Sequence, residues 1–159
     1  LSNSDLFRKA WGNFATGVSL IATVEENGSV HGMTANGIAS VSLEPMLAMV
    51  CVGHSTKTYP ILESTGKFGI NILTESQKEI AEYYAKSDPP TGVISPAIFR
   101  FTEAGTPFLE GSLASMDCQV VSSHKEGDHT VFIAEVSEIE VSEGSPLLFY
   151  TGKWMTIIQ

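Results

Sequence analysis

Short apolar segments, each cut off by a turn, recur along almost the whole chain, and this punctuation constrains the fold more than any other feature. Val18, Leu20, Ala22 and Val24 alternate with Ser19, Ile21 and Thr23, and Asn27-Gly28 supplies a tight hairpin turn. A second strand returns through Val30. After Glu44-Pro45, Leu47 to Val52 form an almost wholly apolar run, which predicts a strand covered on both sides. KFGINIL, residues 67–73, gives another strand. From Leu113, Ala114, Met116, Cys118 and Val120 alternate with Ser115, Asp117 and Gln119. A turn at Lys125-Glu126-Gly127-Asp128 leads into a well-buried strand over Val131 to Val136, and Glu143-Gly144 turns the chain toward Leu147 to Tyr150. At least six strands with only short helices predict a closed or nearly closed β-barrel with helical attachments, because closure removes the exposed edges of so many apolar strands.

The helical signals are brief. Leu6, Phe7, Ala10, Trp11 and Phe14 fall at helical spacing within Asp5 to Ala15, with Ser4 or Asp5 as the N-cap and Gly17 beyond the end. Thr58 to Ser64 reads as a short helix with Pro60 in its first turn, and Gln77 to Ala85 carries a narrow apolar stripe of Ile80, Ala81, Tyr84 and Ala85. Four prolines and two glycines between residues 87 and 107 predict a long surface excursion over a ligand.

A length of 159 residues predicts one domain, residues 1–159, with a developed core. Hydrophobic residues make up 43% of the chain, an excess that a homodimer interface would hide. Eighteen acidic against nine basic residues give a net charge of -9, which disfavours nucleic acid and anionic membranes as partners. Neutral donors must therefore do much of the holding of any bound anion. No apolar run reaches the roughly eighteen residues of a membrane span and the N-terminus does not read as a signal peptide, so a cytoplasmic protein is expected. Cys51 and Cys118 lack metal-site spacing and read as two buried free thiols, with a single disulfide as the alternative.

Several chemistries have no motif here: no glycine-rich dinucleotide fingerprint, phosphate loop, HExxH or nucleophile elbow occurs, and His31, His54, His124 and His129 are dispersed. What remains is small polar residues at the margins of apolar strands, suited to hydrogen bonding around a guest held by shape. In GMTANG, Thr34, Ala35 and Asn36 are either a bulged strand relieved by Gly32 and Gly37 or a backbone surface that something approaches closely. Ser40 and Ser42 alternate with Val41, which is expected to enter the core. Ser55, Thr56, Lys57 and Thr58 combine hydroxyls, turn amides and an ammonium, a set suited either to a phosphate or to helix capping. Asn71 interrupts an apolar strand, Gly127-Asp128-His129 ends a hairpin, and Phe149, Tyr150 and Trp154 offer aromatic faces.

In order along the chain, FRKAWGNFATGVSLIAT, GMTANGIASVSLEPMLAMVCV, HSTKT, FGINIL, GTPFLEGSLASMDCQV, EGDHTVFIAEV and GSPLLFYTGKW resemble the flavin reductase-like family over nearly all of its length. The resemblance implies a mainly β fold, the FMN-binding split β-barrel of Greek-key type with short attached helices, in a homodimer whose flavin lies near the subunit interface. It implies reduction of FMN or FAD by NADH or NADPH, and delivery of the reduced flavin to a separate monooxygenase component. Carried onto this sequence, it brings Met33, Thr34, Ala35 and Asn36 along the isoalloxazine, with Cys51, Val52 and Asn71 beside it. Ser40, Val41 and Ser42 go to the ribityl chain or phosphate, and Ser55, Lys57 and Thr58 to the phosphate. Tyr150 and Trp154 frame the ring, His129 orients the flavin or nicotinamide, and no metal ligands are implied. Gly37 stands where the family commonly has serine, and Glu44-Pro45-Met46 where it has Asp-Pro-Pro. Two other functions share these features: a non-catalytic flavin-binding electron-transfer protein, and an oxidase of pyridoxal-type vitamers on a related split barrel.

Overall fold

The computed structural model describes residues 1–87 and 92–158. In chain order the elements are α1 (Asn3–Gly12), β1 (Thr16–Gly17), β2 (Ser19–Val24), β3 (Val30–Ala35), β4 (Ile38–Leu43), β5 (Met46–Gly53), α2 (Thr58–Thr65) and β6 (Lys67–Ile72). After a 3₁₀ turn (Glu75–Gln77) come α3 (Lys78–Tyr84), β7 (Phe99–Phe101), β8 (Pro107–Leu109), β9 (Ala114–Glu126), β10 (His129–Val141), β11 (Leu148–Tyr150) and β12 (Lys153–Met155).

Seven strands form one antiparallel sheet in the order β3-β2-β6-β9-β10-β5-β4. Its outermost strands, β3 and β4, are consecutive in the chain and joined by Asn36-Gly37 alone. Three residue steps reach at most about 11 Å, whereas seven flat strands at about 4.8 Å spacing would hold the outer pair about 29 Å apart. The sheet must therefore curl until its edges meet. No ladder joins β3 to β4, so the barrel is split along that seam; the bond from the Cys51 N–H to the Gly37 carbonyl at 2.9 Å carries the β4–β5 pairing one residue further, to the edge of the link. The expected barrel is thus present in its split form.

Two apolar clusters flank the sheet. Ile21, Val50, Val52, Phe68, Ile70, Phe132 and Ala134 fill the barrel, which α2 plugs with Leu62. Val18, Leu20, Leu73, Ala81, Leu109 and Leu147 form the second cluster, outside β2 and β6 and beneath α3. Strand β2 lies between both clusters, so Leu20 and Ile21 are each fully buried.

The doubly covered strands are β2 and β6, and Leu47 to Val52, expected to be one, is not. In β5, Ala48, Val50 and Val52 are buried while Met49 and Cys51 remain partly exposed, because the outer face of β5 has no covering layer. Val131 to Val136 alternates in the same way. Cys51 is accordingly a partly exposed thiol, whereas Cys118 is buried; both are free.

At the start of β9, Ser115 and Asp117 are buried more deeply than Ala114 and Met116, while Cys118 is fully buried and Gln119 exposed. Ser115 and Asp117 are 4% and 5% exposed, because a β7–β8 hairpin lies over them. Asp117 accepts hydrogen bonds from the hydroxyls of Thr106 at 2.6 Å and Thr102 at 3.3 Å. The surface excursion expected over 87–107 thus includes this latched hairpin, while residues 88–91 lie outside the described residues.

The first helix starts two residues earlier than the spacing predicts. Ser2, not Ser4 or Asp5, is the N-cap: its hydroxyl accepts from the Asp5 N–H at 3.2 Å, and the Asp5 carboxylate accepts from the Ser2 N–H at 3.1 Å. Among the described residues nothing buries its apolar face, and Leu6, Phe7, Trp11 and Phe14 are each at least half exposed.

Candidate functional site

Strand β3 and the C-terminal end of α3 together wall two cavities. The first, about 210 Å³, is lined by Val18, Thr34, Ala35, Asn36, Ala85, Phe149 and Trp154. Its walls are mostly apolar and aromatic, the lining that holds a planar ring by shape. The second, about 300 Å³, takes Val30, His31 and Gly32 from β3, Tyr83, Tyr84 and Lys86 from α3 and beyond, Lys57 from the start of α2, and one carboxylate, Glu25. From His31 to Asn36 the strand advances about 17 Å, so an apolar slot and a cationic hollow succeed one another along a single β-edge.

Local folding explains this edge. A Cβ on Gly32 would stand 2.6 Å from the Tyr84 ring, so only glycine lets that ring lie flat against β3. The Tyr84 hydroxyl shares a 2.7 Å hydrogen bond with Ser95, and burial pushes its pKa up. Thr34 donates to the Ala81 carbonyl at 2.7 Å, anchoring β3 to α3. The β11–β12 hairpin delivers Phe149 and Trp154, whose rings pack 5.1 Å apart.

At the cationic end, His31 Nε2 lies 2.9 Å from the Thr58 hydroxyl and Nδ1 lies 3.7 Å from Glu25. Burial holds the His31 pKa below its ordinary value; Glu25 opposes that shift and Lys57 adds to it. Lys57 is the N-cap of α2 and makes no side-chain cap bond. Capping falls to Thr56, whose hydroxyl accepts from the Tyr59 N–H at 3.3 Å.

The structure gathers some of the residues singled out in the sequence and separates others. Thr34, Ala35, Asn36 and Trp154 share the apolar cavity, and Lys57 borders the cationic one. Ser55 is exposed on the turn before α2. Met33 packs against the barrel core from the opposite face of β3. Val52, Thr58 and Asn71 are 0%, 1% and 0% exposed and offer no side-chain surface to a guest. Asn71 is consumed internally: it donates to the Leu20 carbonyl at 3.2 Å and accepts from the Leu109 N–H and the Ser115 hydroxyl, both at 2.8 Å. Tyr150 is 40% exposed and outside the cavity its neighbour Phe149 lines.

Ser40 and Ser42 line a different groove, about 410 Å³, among Ile38, Leu43, Met46, Leu47, Ile72, Met116 and Ile139. Val41, expected in the core, is 46% exposed. The β4–β5 register slips between Ser40 and Ser42, so Val41 is the extra residue of a bulge and turns away from the barrel.

His31, Tyr84 and Lys86 are among the lining residues the sequence did not single out, and Phe149, named there only as an aromatic face, lines the slot where Tyr150 does not. The signal that marks one of them is Gly32: a glycine within a strand signals close approach, here by Tyr84. Among the described residues, no three His, Cys, Asp or Glu side chains gather in a group able to hold a metal ion.

The description "flavin reductase like domain" matches residues 11–157. The chain belongs to the flavin reductase-like family. A curated member, the NADH-dependent flavin reductase of a Rhodococcus species, is 39% identical over 153 residues, spanning 94% of this chain and 84% of the relative. The reductase subunit HsaB of a flavin-dependent monooxygenase from Mycobacterium tuberculosis is 36% identical over 95% of this chain and 81% of its own. Among solved structures, the styrene monooxygenase flavin reductase of Pseudomonas putida S12 superposes with a TM-score of 0.88 at 37% identity, covering 96% of this chain and 97% of that one. The family pattern spans the split barrel together with β11 and β12, so both walls of the apolar cavity lie within it.

Proposed function

We propose that this chain is an NAD(P)H:flavin oxidoreductase, a single flavin reductase-like unit over residues 1–159 that reduces FMN or FAD and supplies it to a separate monooxygenase. One observation carries the reading: an apolar, aromatic-walled slot and a hollow bordered by Lys57 and Lys86 follow each other along β3. That sequence matches the shape of a flavin, a flat ring at one end of a polar chain and a phosphate at the other.

The donor set fits the group. Val18, Ala35, Ala85, Phe149 and Trp154 supply faces for the ring, while the Thr34–Asn36 edge supplies backbone groups at its rim. Two of the nine cationic residues of a strongly acidic chain, Lys57 and Lys86, border the same hollow against one carboxylate, Glu25, which leaves one net positive charge to offset a phosphate. When bound, the flavin supplies the hydride-accepting chemistry. The protein's part is alignment: Phe149 and Trp154 fix the plane of the slot and its apolar walls keep water from the reacting faces, while Tyr84, packed against Gly32, walls the neighbouring hollow. No side chain of the slot is a nucleophile, and none is needed for hydride transfer between two ring systems.

The delivery step rests on relatives named as monooxygenase reductases, HsaB and the styrene monooxygenase reductase. A homodimer is inferred from the unpartnered apolar face around the 410 Å³ groove, which a second copy would cover.

The test is anaerobic mixing of the protein with NADH or NADPH and added FMN or FAD. Loss of nicotinamide absorbance in step with flavin bleaching is the expected result. Folded protein that binds FMN but reduces neither flavin with either nucleotide would exclude the reductase reading and favour an electron-transfer protein.

A further inference from the structure

The hollow at the start of β3 does not by itself balance the guest assigned to it. Among the described residues its lining carries two ammonium groups, Lys57 and Lys86, and one carboxylate, Glu25, hence a net charge of +1. A phosphate monoester carries about −1.5 to −2 near pH 7. With a dianion seated, one negative charge is left over in a partly buried place, where an unpaired charge is costly.

One lining group can make up the difference. His31 is the only imidazole among the described residues of this lining, and its side chain is 18% exposed. The charged and titratable groups around it are Glu25 from the turn after β2, Lys57 from the start of α2, and Tyr83, Tyr84 and Lys86 from α3 and beyond. The two phenols add no positive charge in either protonation state. The ring is also set to carry a second proton. Nε2 lies 2.9 Å from the Thr58 hydroxyl, which can accept, and Nδ1 lies 3.7 Å from the Glu25 carboxylate, so each nitrogen of an imidazolium has an oxygen before it. In the free protein, burial holds the pKa of His31 below 6.5, with Glu25 opposing and Lys57 adding to the shift, so the ring is neutral at pH 7. A dianion in the same hollow acts the other way, because nearby negative charge favours the charged imidazole.

We propose that His31 takes up one proton from solvent when a phosphate monoester enters the hollow, and so becomes the third cation of that site beside Lys57 and Lys86. The proposal rests on the reading of this hollow as the seat of the flavin's phosphate. It makes FMN binding proton-linked, whereas riboflavin, which brings no phosphate, binds independently of pH. Because the complex holds the proton more tightly than the free protein, affinity is highest at low pH and falls as pH rises through the raised value of the complex. The guest's own second ionisation, at about pH 6, releases a proton when the dianion is bound, so any net uptake belongs to the protein.

The experiment is calorimetric titration of the full chain with FMN and with riboflavin at pH 7, in two phosphate-free buffers of different ionisation enthalpy, whose difference in heat counts the protons exchanged. In the wild type FMN should take up about half to one proton and bind roughly tenfold more weakly at pH 8.5 than at pH 6.5, and riboflavin should show neither effect. H31Q should abolish the uptake and flatten the pH dependence. E25Q, which raises the charge of the hollow by one, should bind FMN several-fold more tightly and take up less proton. In ¹⁵N-histidine spectra of the wild type at pH 7, FMN should move one ring of the four from the neutral to the imidazolium pattern. FMN bound more tightly than riboflavin but without proton uptake would overturn the proposal and leave the phosphate in the hollow. Uptake that persists in H31Q, or that in E25Q equals the wild type's should H31Q fail to fold, would overturn it as well. FMN and riboflavin bound equally well would overturn instead the reading of the hollow as a phosphate seat.

Discussion

At single residues, the backbone carries the sharpest constraints. Gly32 and Tyr84 occupy one volume between them: a Cβ at position 32 would lie 2.6 and 2.7 Å from two ring carbons of Tyr84. In G32A the ring must swing out and give up its bond to Ser95, an overpacking cost of about 1–3 kcal/mol. Thermal unfolding should fall by several degrees. FMN affinity, read by fluorescence quenching, should fall more than the loss of stability accounts for, because Gly32 and Tyr84 both wall the hollow that the proposed binding mode gives to the phosphate. Thr151 carries a different strain. With Gly152 it forms the two-residue turn between paired Tyr150 and Lys153, and both have positive φ, 48° and 76°. A β-branched residue there costs about 1–3 kcal/mol, and asparagine is the residue such turns favour. T151N should therefore stabilise by about 1 kcal/mol, a rise of about 2–4 °C in Tm measured by calorimetry. The bond from the Thr151 N–H to the Gly12 carbonyl is a backbone bond and survives the change. A Tm that stays level or falls would mean that the threonine is accommodated without strain.

Between elements, the junction of β3 with α2 is held by the His31–Thr58 hydrogen bond, and it makes a pH-dependent contribution to stability. Burial keeps His31 below its ordinary pKa of 6.5 in the folded chain. The unfolded chain therefore binds the proton first as pH falls, so stability is present above 6.5 and is lost as pH drops through the folded value. Urea midpoints should decline from pH 7 to pH 5 in the wild type, and H31Q should flatten that slope while lowering stability at pH 7. An equal slope in H31Q would assign the pH dependence to other groups. Element identity was legible in the sequence because alternation and turn residues are local signals. Facing was less so. β2 and β5 have similar apolar content, yet only β2 is covered twice, because α3 and the β11 region pack on it from sequence positions some fifty or more residues away. Asp117 and Asn71 read as ordinary polar interruptions, but the partners that let them be buried, Thr102, Thr106, Leu109 and Ser115, are supplied by the β7–β8 hairpin and by β9. The site shows the same division. Thr34 to Asn36, Lys57 and Trp154 stood out by residue type, whereas Lys86 and Ala85 join them only through the path of the chain.

For the whole molecule, closing the barrel through a two-residue link leaves one face unfinished. Strand β4 has a partner on one side only, and the surface beside it is apolar: Leu43 is 86% exposed and Val141 78%, with Val41, Met46 and Ile139 between 42% and 46%. Of these, Leu43, Met46 and Ile139 line the 410 Å³ groove. A monomer in water would carry that area uncovered, a feature that marks an interaction surface more often than a free one. In a two-fold dimer the same patch is used by both copies, so each substitution is counted twice. Burying a leucine side chain is worth about 1.5–3 kcal/mol, and the pair of Leu43 side chains therefore contributes about 3–6 kcal/mol to association. L43D should weaken dimerisation by at least about a hundredfold, moving the sedimentation equilibrium toward monomer at micromolar concentration, while circular dichroism stays that of the folded barrel. A wild type that sediments as a dimer, with L43D indistinguishable from it, would exclude the β4 face as the interface. The exposed ridge of Phe7, Trp11 and Phe14 on α1 would then be the surface to test by the same measurement.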